Sequence, residues 1–425
     1  MASSFMGLYV QREAIVAAQK ALDITGNNLS NANTVGYSRQ RLDVCSVTNT
    51  GHNLMYNTSI SMAGQGVDQV GVGQYRDALI DEKVRGYTTT SNEYSLKSSV
   101  MSEVETVLDN IESEDSGFAV NIAKFKEALQ AFSVDNADRQ ELASVAQQAA
   151  QSVVRQIRYM DERITEISKQ TLEDAQGAVT KVNNILKSMG ELNEQITTSY
   201  INMGYIAADM GNYQVDNDYG PLELKDQMNL LIDELSQYGP VEVREQNNGS
   251  FTISFANRLV VHNEKFAQIA MTEVQPEPFD MDFVVTDCGT YDEMHDTYSG
   301  LMTSKQWAQI SETYGNSEEY IRNYTGDDKP AIINISGEDR LESGALRGFL
   351  DVYNGDGPFA EPGINDYKGI EYYRDMLNGL AKTMTEEFNK IYEPFGFGIL
   401  TYENPEGEDA FHTAAANIKL TDEWL

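Results

Sequence analysis

Sixty-six carboxylates, four histidines and two cysteines are the reactive inventory of this 425-residue chain. His52, His262, His295 and His412 include no i, i+4 pair of the kind that holds zinc on a helix, and neither HExxH nor CxxC occurs. Cys45 and Cys288 can form one disulfide at most, and two free thiols are expected. The glycines of GQGVDQVGVGQYR, residues 64–76, look like a phosphate loop but fail as one. Gln74, Tyr75 and Arg76 follow Gly71-Val72-Gly73 where a third glycine belongs, and no Walker lysine comes after them. A turn-rich linker is expected there. Asp216-Asn217-Asp218 does not grow into a calcium loop, because Pro221 stands at the glycine position and Gln227 at that of the bidentate glutamate. A surface turn is expected, as at Asn354-Gly355-Asp356-Gly357. There is no GxSxG, and carboxylates are so abundant that no pair singles itself out for glycosidase chemistry. No catalytic, cofactor-binding or metal-ligating residue is assigned, and the chain is not expected to be an enzyme.

Charge excludes two kinds of partner. Thirty-one basic residues against 66 acidic ones leave a net −35 and a pI near 4.3. Such a surface repels phosphate, so neither nucleic acid nor an anionic membrane is an expected partner. Mean hydropathy is −0.44, and no apolar run approaches the ~18–20 residues that cross a bilayer. The start, MASSFMGLYVQREAIVAAQK, lacks the basic and apolar regions of a Sec signal peptide. What remains is a chain whose elements must carry its function, with length for about two to three domains.

All nine prolines lie at or after Pro221, and only Gly117, Gly177 and Gly190 fall between Gly86 and Gly204. Helix interiors reject proline and disfavour glycine, so long helices are expected from about Tyr75 to Met203. Val154, Ile157, Ile164, Ile167, Ala175, Val179, Val182, Ile185, Leu186, Met189, Leu192 and Ile196 recur mostly in steps of three, four or seven, the mark of an apolar seam. One helix over 140–203 would run roughly 96 Å, too long for a compact domain. Ser95–Leu108 and Phe118–Phe132 read as further helices, with a loop at Asp135-Asn136. Beyond Pro221 a helix is expected over Leu222–Tyr238, stopped by Gly239-Pro240. VEVREQNNGSFTISF then alternates around Asn248-Gly249, a hairpin signal. Residues 271–340 carry 15 acidic and four basic residues with little clear period. Helical character returns over Ile370–Ile391. The expected fold is mainly α with smaller β parts: an elongated multi-helix rod with a β-hairpin and a small inserted β or mixed domain.

The N-terminus has its own pattern. Leu8, Ile15, Leu22 and Leu29 are seven apart without exception, predicting a heptad helix over about residues 5–30. The first 60 residues hold four basic residues, Arg12, Lys20, Arg39 and Arg41, against Glu13, Asp23 and Asp43. The chain's negative charge is thus absent where a buried contact would suffer most from repulsion. A lone helix of this length is marginal in water and must pack on something.

The run ALDITGNNLSNANTVGYSRQRLDV, residues 21–44, resembles the N-terminal signature of bacterial flagellar axial proteins, which include rod, hook and hook-associated proteins. Its core is Asn27-Asn28-Leu29-Ser30-Asn31, then Asn33-Thr34, then Gly36-Tyr37-Ser38-Arg39. The segments 66–85, 222–253, 342–357, 373–392 and 410–425 resemble the hook-associated branch, which joins hook to filament. The resemblance covers most of 1–270 and 341–425 and leaves out the insertion. It implies four segments: 1–60 for axial polymerisation and export, 61–270 for a long-helix rod domain with a β-hairpin, 271–340 for an acidic outer domain, and 341–425 for returning helices. It implies an assembly interface made by Leu8, Ile15, Leu22, Leu29, Asn27, Asn28, Asn31, Gly36, Tyr37 and Arg39. Implied partners are further copies of the chain in an axial tube, the hook protein, a second junction protein and a flagellar export chaperone. The implied location is the extracellular flagellum, reached by type III export. Such proteins normally end in a heptad helix that pairs with the N-terminal one and that the chaperone holds. None occurs before Leu425, so the first ~50 residues are expected to be disordered or loosely docked in the monomer. Another axial protein, or an unrelated helical binding module, is the alternative.

Overall fold

The computed structural model describes residues 4–46, 66–109, 117–132, 139–209, 220–246, 248–274, 280–286, 291–292, 297–298, 301–314, 332–337, 339–359, 367–392, 398–402 and 413–421. The fold is mainly α with small antiparallel sheets. Asp216-Asn217-Asp218, Asp135-Asn136, Cys288, His52, His295 and His412 lie outside the described residues. The helices are α1 (Ser4–Ser30), α2 (Ala78–Asp109), α3 (Phe118–Phe132), α4 (Arg139–Asp209), α5 (Leu222–Leu235), α6 (Ser304–Tyr314), α7 (Ala345–Tyr353), α8 (Ile370–Tyr392) and α9 (Ala414–Asn417). The 71 residues of α4 form one uninterrupted helix, about 107 Å long at 1.5 Å per residue. All twelve residues of its apolar seam are buried. Within 271–340, the described residues form the end of the strand Ile269–Val274, the strands Asp280–Thr286, Tyr291–Asp292, Thr297–Tyr298 and Ile332–Asn334, and helix α6.

The chain packs as two compact units, each built from three separated segments. The first comprises Met1–Thr88, Val182–Ile269 and Val285–Ile333. In it β1 (Gln40–Ser46) pairs antiparallel with β2 (Val67–Gln74). The strands β3 (Val241–Glu245), β4 (Phe251–Phe255), β5 (Arg258–His262) and β6 (Lys265–Phe266) form an antiparallel meander in chain order. The hairpin joining β3 and β4 turns where the Asn-Gly pair predicts it. Gly249 takes φ +77°, and a Cβ there would run into the Tyr200 ring. Phe251, Ile253 and Phe255 alternate inward along β4. Gly190, in the middle of α4, has a packing reason: a Cβ would stand 2.8 Å from the Phe266 ring.

The second unit comprises Thr89–Lys181, Ala270–Val284 and Asn334–Leu425. Its core gathers Val104, Phe125, Ile157, Met160, Ile164, Leu377 and Ala381 with their neighbours on α2, α3, α4 and α8. Beside this apolar core lies a buried charge lattice. The Lys97 ammonium is 2.6 Å from Glu93 and 2.5 Å from Asp351, and Arg347 is 2.9 Å from the other Asp351 oxygen. Burial works against the Lys97 charge, but hydrogen bonds to Asp351 and Glu93 more than offset it, and its pKa is raised.

Asparagine ties helices to strands in both units. A side-chain amide offers the same donor and acceptor as a peptide group, so it can stand in for a neighbouring strand. Asn183 receives the Ile269 N–H and donates to its carbonyl, both at 2.8 Å. Asn193 does the same for Phe251, and Asn354 for Met281. Asn389 accepts from the Ile399 N–H and donates to the Leu400 carbonyl, each at 2.8 Å. Each bridge satisfies two backbone groups that burial would otherwise leave stranded.

Candidate assembly interface

Helix α1 has two faces. Val10, Glu13, Val16, Ala17, Ile24, Asn27, Asn28 and Asn31 are partly or fully covered. Val10, Ala17, Ile24 and Asn31 among them are seven apart. Leu8, Ile15, Leu22 and Leu29 make a second heptad row, offset by two residues or about 200°. That row is open to solvent, at 64%, 60%, 75% and 79% exposure. Four large apolar side chains along one face of a helix, left uncovered by the described residues, form a surface suited to another helix.

The covered row docks on the β1–β2 ribbon, and a Cβ on Gly66 would come within 3.3 Å of Val10. The Asn cluster closes the helix end. Asn28 Oδ1 accepts from the Gln40 N–H at 2.9 Å and from the Tyr37 hydroxyl at 2.8 Å, while Asn28 Nδ2 donates to the Gln40 carbonyl at 2.9 Å. This is the peptide-mimicking bridge again, here fixing α1 to β1. Asn31 Nδ2 donates to Asn27 Oδ1 at 2.8 Å, and Asn27 Nδ2 to Gln40 Oε1 at 3.3 Å. Gly36 takes φ +82°, the left-handed turn that glycine permits, with Leu230 of α5 packed beside it. The Ser38 N–H donates to Asp226 Oδ2 at 3.1 Å. Burial, and then the nearby Asp226 and Glu223 charges, push the Tyr37 hydroxyl pKa up and keep it a neutral donor. Arg39 is exposed, its guanidinium 5.3 Å from the centre of the Tyr75 ring.

The ten residues of the expected interface thus separate by role. Leu8, Ile15, Leu22 and Leu29 face outward. Asn27, Asn28, Asn31, Gly36 and Tyr37 form a bracket that fixes the direction in which the helix leaves the ribbon. Arg39 lies at the rim. Gln40, Asp226 and Val10 do comparable work and were not singled out from sequence. Gln40 is an ordinary strand residue, and Asp226 is 188 residues from its partner. The Val10, Ala17, Ile24 spacing was visible as a second heptad row but carries smaller side chains than the first.

The segment 64–76, described from residue 66, runs through β2 into Tyr75 and Arg76. Arg76 is engaged with carboxylates, 2.5 Å from Asp81 and 3.6 Å from Asp233. Among the described residues, no group of three or more His, Cys, Asp or Glu is placed to hold a metal. None of their helices is long and apolar enough to cross a membrane. Cys45 is an exposed free thiol.

Comparisons with known proteins address both the helices and the N-terminal signature. Residues 101–308 match the family of the flagellar hook-associated protein FlgK helical domain, and residues 8–37 that of flagella basal body rod proteins. Flagellar hook-associated protein 1 of Bacillus subtilis is 26% identical over 436 aligned positions, covering 99% of this chain and 75% of that protein. Its counterpart in Salmonella typhimurium is 27% identical over 263 positions, 62% of this chain and 43% of that protein. The solved flagellar hook junction protein FlgK of Burkholderia pseudomallei superposes with a TM-score of 0.48 at 16% identity, covering 76% of this chain and 47% of that one.

Proposed function

We propose that the chain is a member of the flagellar hook-associated protein family and works there as the non-enzymatic structural subunit that joins hook to filament. The observation that carries this reading is the uncovered heptad row of α1. A helix of this length does not hold such a face in water for its own sake. Packed side by side with other copies in an axial tube, Leu8, Ile15, Leu22 and Leu29 each gain roughly 1.5–3 kcal/mol on full burial. Repetition around the tube multiplies the gain. The Asn bracket sets the angle at which each copy presents its seam. The hook protein on one side and a second junction protein on the other are the proposed neighbours. The 1–60 segment serves export through the flagellar type III apparatus to the cell exterior, with a chaperone as cytoplasmic partner. The acidic 271–340 region is the outer, solvated part.

The test is Ile15→Asp with Leu22→Asp in the full-length gene. Filament attachment and motility are expected to be lost while the purified protein keeps its helicity. Normal swimming by that strain overturns the reading.

A further inference from the structure

The first turns of α2 are inverted relative to an ordinary surface helix. The residues turned inward are polar. Arg85 is buried, with Nε 2.7 Å from Asp233 and Nη2 donating to Asn229 at 3.1 Å, and Asp81 beside it is half-buried. The residues turned outward are apolar. Leu79, Ile80, Val84 and Tyr87 are all exposed, Tyr87 at 78%. Ile80, Val84 and Tyr87 follow the i, i+4, i+7 spacing of a single stripe, and Leu79 flanks it. A helix facing water normally shows the opposite arrangement. A large apolar stripe of this kind marks a contact surface.

We propose that this stripe is a second contact between copies of this chain, distinct from the α1 seam and used in the same assembly. The proposal rests on the assembly reading above and adds a surface to it. Charge selects another copy as the occupant. Residues 1–88 contain seven basic and seven acidic residues, so the entire net charge of −35 falls on residues 89–425. Two copies that meet through this neutral segment do so without the net like-charge repulsion that strongly acidic stretches such as 271–340 would impose. Continuity points the same way. Among the described residues, thirteen of the nineteen large exposed apolar side chains lie between Leu8 and Tyr87, within the same compact unit as the seam. Two separate surfaces on each copy also meet a geometric need. A single self-complementary patch closes into pairs, whereas a lattice wrapped into a tube requires neighbours in more than one direction.

The experiment places the photo-crosslinker p-benzoylphenylalanine at Tyr87 in a tagged full-length chain expressed beside the untagged wild type. Flagella are isolated and irradiated, and the joined peptides are sequenced. The same label at Ile15 runs in parallel and reports on the seam. Joining of position 87 to an untagged copy is the expected result. If position 87 joins only another protein, or nothing outside its own chain, while position 15 still joins a second copy, the stripe proposal is overturned and the seam stands. If neither position joins a second copy, both fall. As an independent check, Ile80→Gln with Val84→Gln is expected to cut attached filaments at least tenfold with unchanged helicity and thermal midpoint. Undiminished attachment by that variant also overturns the proposal.

Discussion

Helices α1 and α4 carry the same kind of apolar repeat and use it in opposite ways. In α4, Ile157 and Ile164 lie in a sealed core and are fully buried, whereas Ile15 and Leu22 of α1 are more than half exposed. Helix α1 has a covered row as well, Val10, Ala17, Ile24 and Asn31, and Asn28 clamps it to Gln40. A heptad therefore establishes that a face needs burying. It does not say whether the same chain does the burying. Local charge does not separate the two repeats, since residues 154–196 of α4 hold six basic and seven acidic residues and are as nearly neutral as the N-terminal segment.

Putting one substitution into both repeats tests that contrast most severely. Ile164→Asp places an uncompensated carboxylate in a sealed core and is expected to cost more than about 4 kcal/mol, enough to unfold the surrounding unit in urea titrations at 25 °C. Ile15→Asp, judged by the same titration, should fall within about 0.5 kcal/mol of wild type, as exposed substitutions do. A large stability loss at Ile15 would erase the distinction.

Next in size is the buried lattice, the polar counterpart of the α4 core. Asp351→Asn removes the negative charge shared by Lys97 and Arg347, turns one of its two acceptor oxygens into a donor, and is expected to cost about 3 kcal/mol in the same assay. The lattice also sets a pH limit. Because the folded pKa of Lys97 is raised, its contribution is complete below the unfolded value near ~10.4 and is lost as pH climbs through the folded one. The stability gap between wild type and Lys97→Met should be flat up to about pH 10 and shrink above it.

A smaller effect probes the clamp that leaves the α1 seam outward. Asn28→Ala strands the Gln40 backbone groups and should cost about 1–3 kcal/mol, seen as faster amide exchange at Gln40 and along α1 with no change in α4. The smallest expected change is a gain. Burial raises the Asp161 pKa, and the Arg374 charge only partly opposes this. Holding Asp161 ionised therefore opposes folding at neutral pH. Asp161→Asn should raise the melting temperature slightly at pH 7. The advantage should disappear as pH falls through the raised folded pKa and below the unfolded value near ~3.9.

Much of the secondary structure was legible before any coordinates. The proline-free stretch and the apolar seam marked α4, which runs from Arg139 to Asp209 against the expected 140–203. Phe118–Phe132 and the Asn248-Gly249 turn fell where anticipated, and the N-terminal helix spans Ser4–Ser30 against the expected 5–30. The site was half legible. The outward row of α1 could be read from spacing, but the task of the Asn cluster could not, since its anchor Gln40 has nothing distinctive about it. Helix α2 was legible as a helix and not as an inverted one. Its buried Arg85 answers Asp233, 148 residues away, and no local period records that pairing.

Spacing, turn residues and charge distribution settle within a few residues of chain, so the sequence by itself determined where helices run, which rows of them are apolar and where the acidic surface lies. Which row is covered is decided by residues far apart in the chain. Only the tertiary structure could show that Asn28, Asn183, Asn193, Asn354 and Asn389 stand in for strands, and that the large apolar rows of α1 and α2 point away from their own unit. The physical reason is that burial and hydrogen-bond satisfaction are properties of the assembled packing, whereas helix and turn preferences are properties of the local chain.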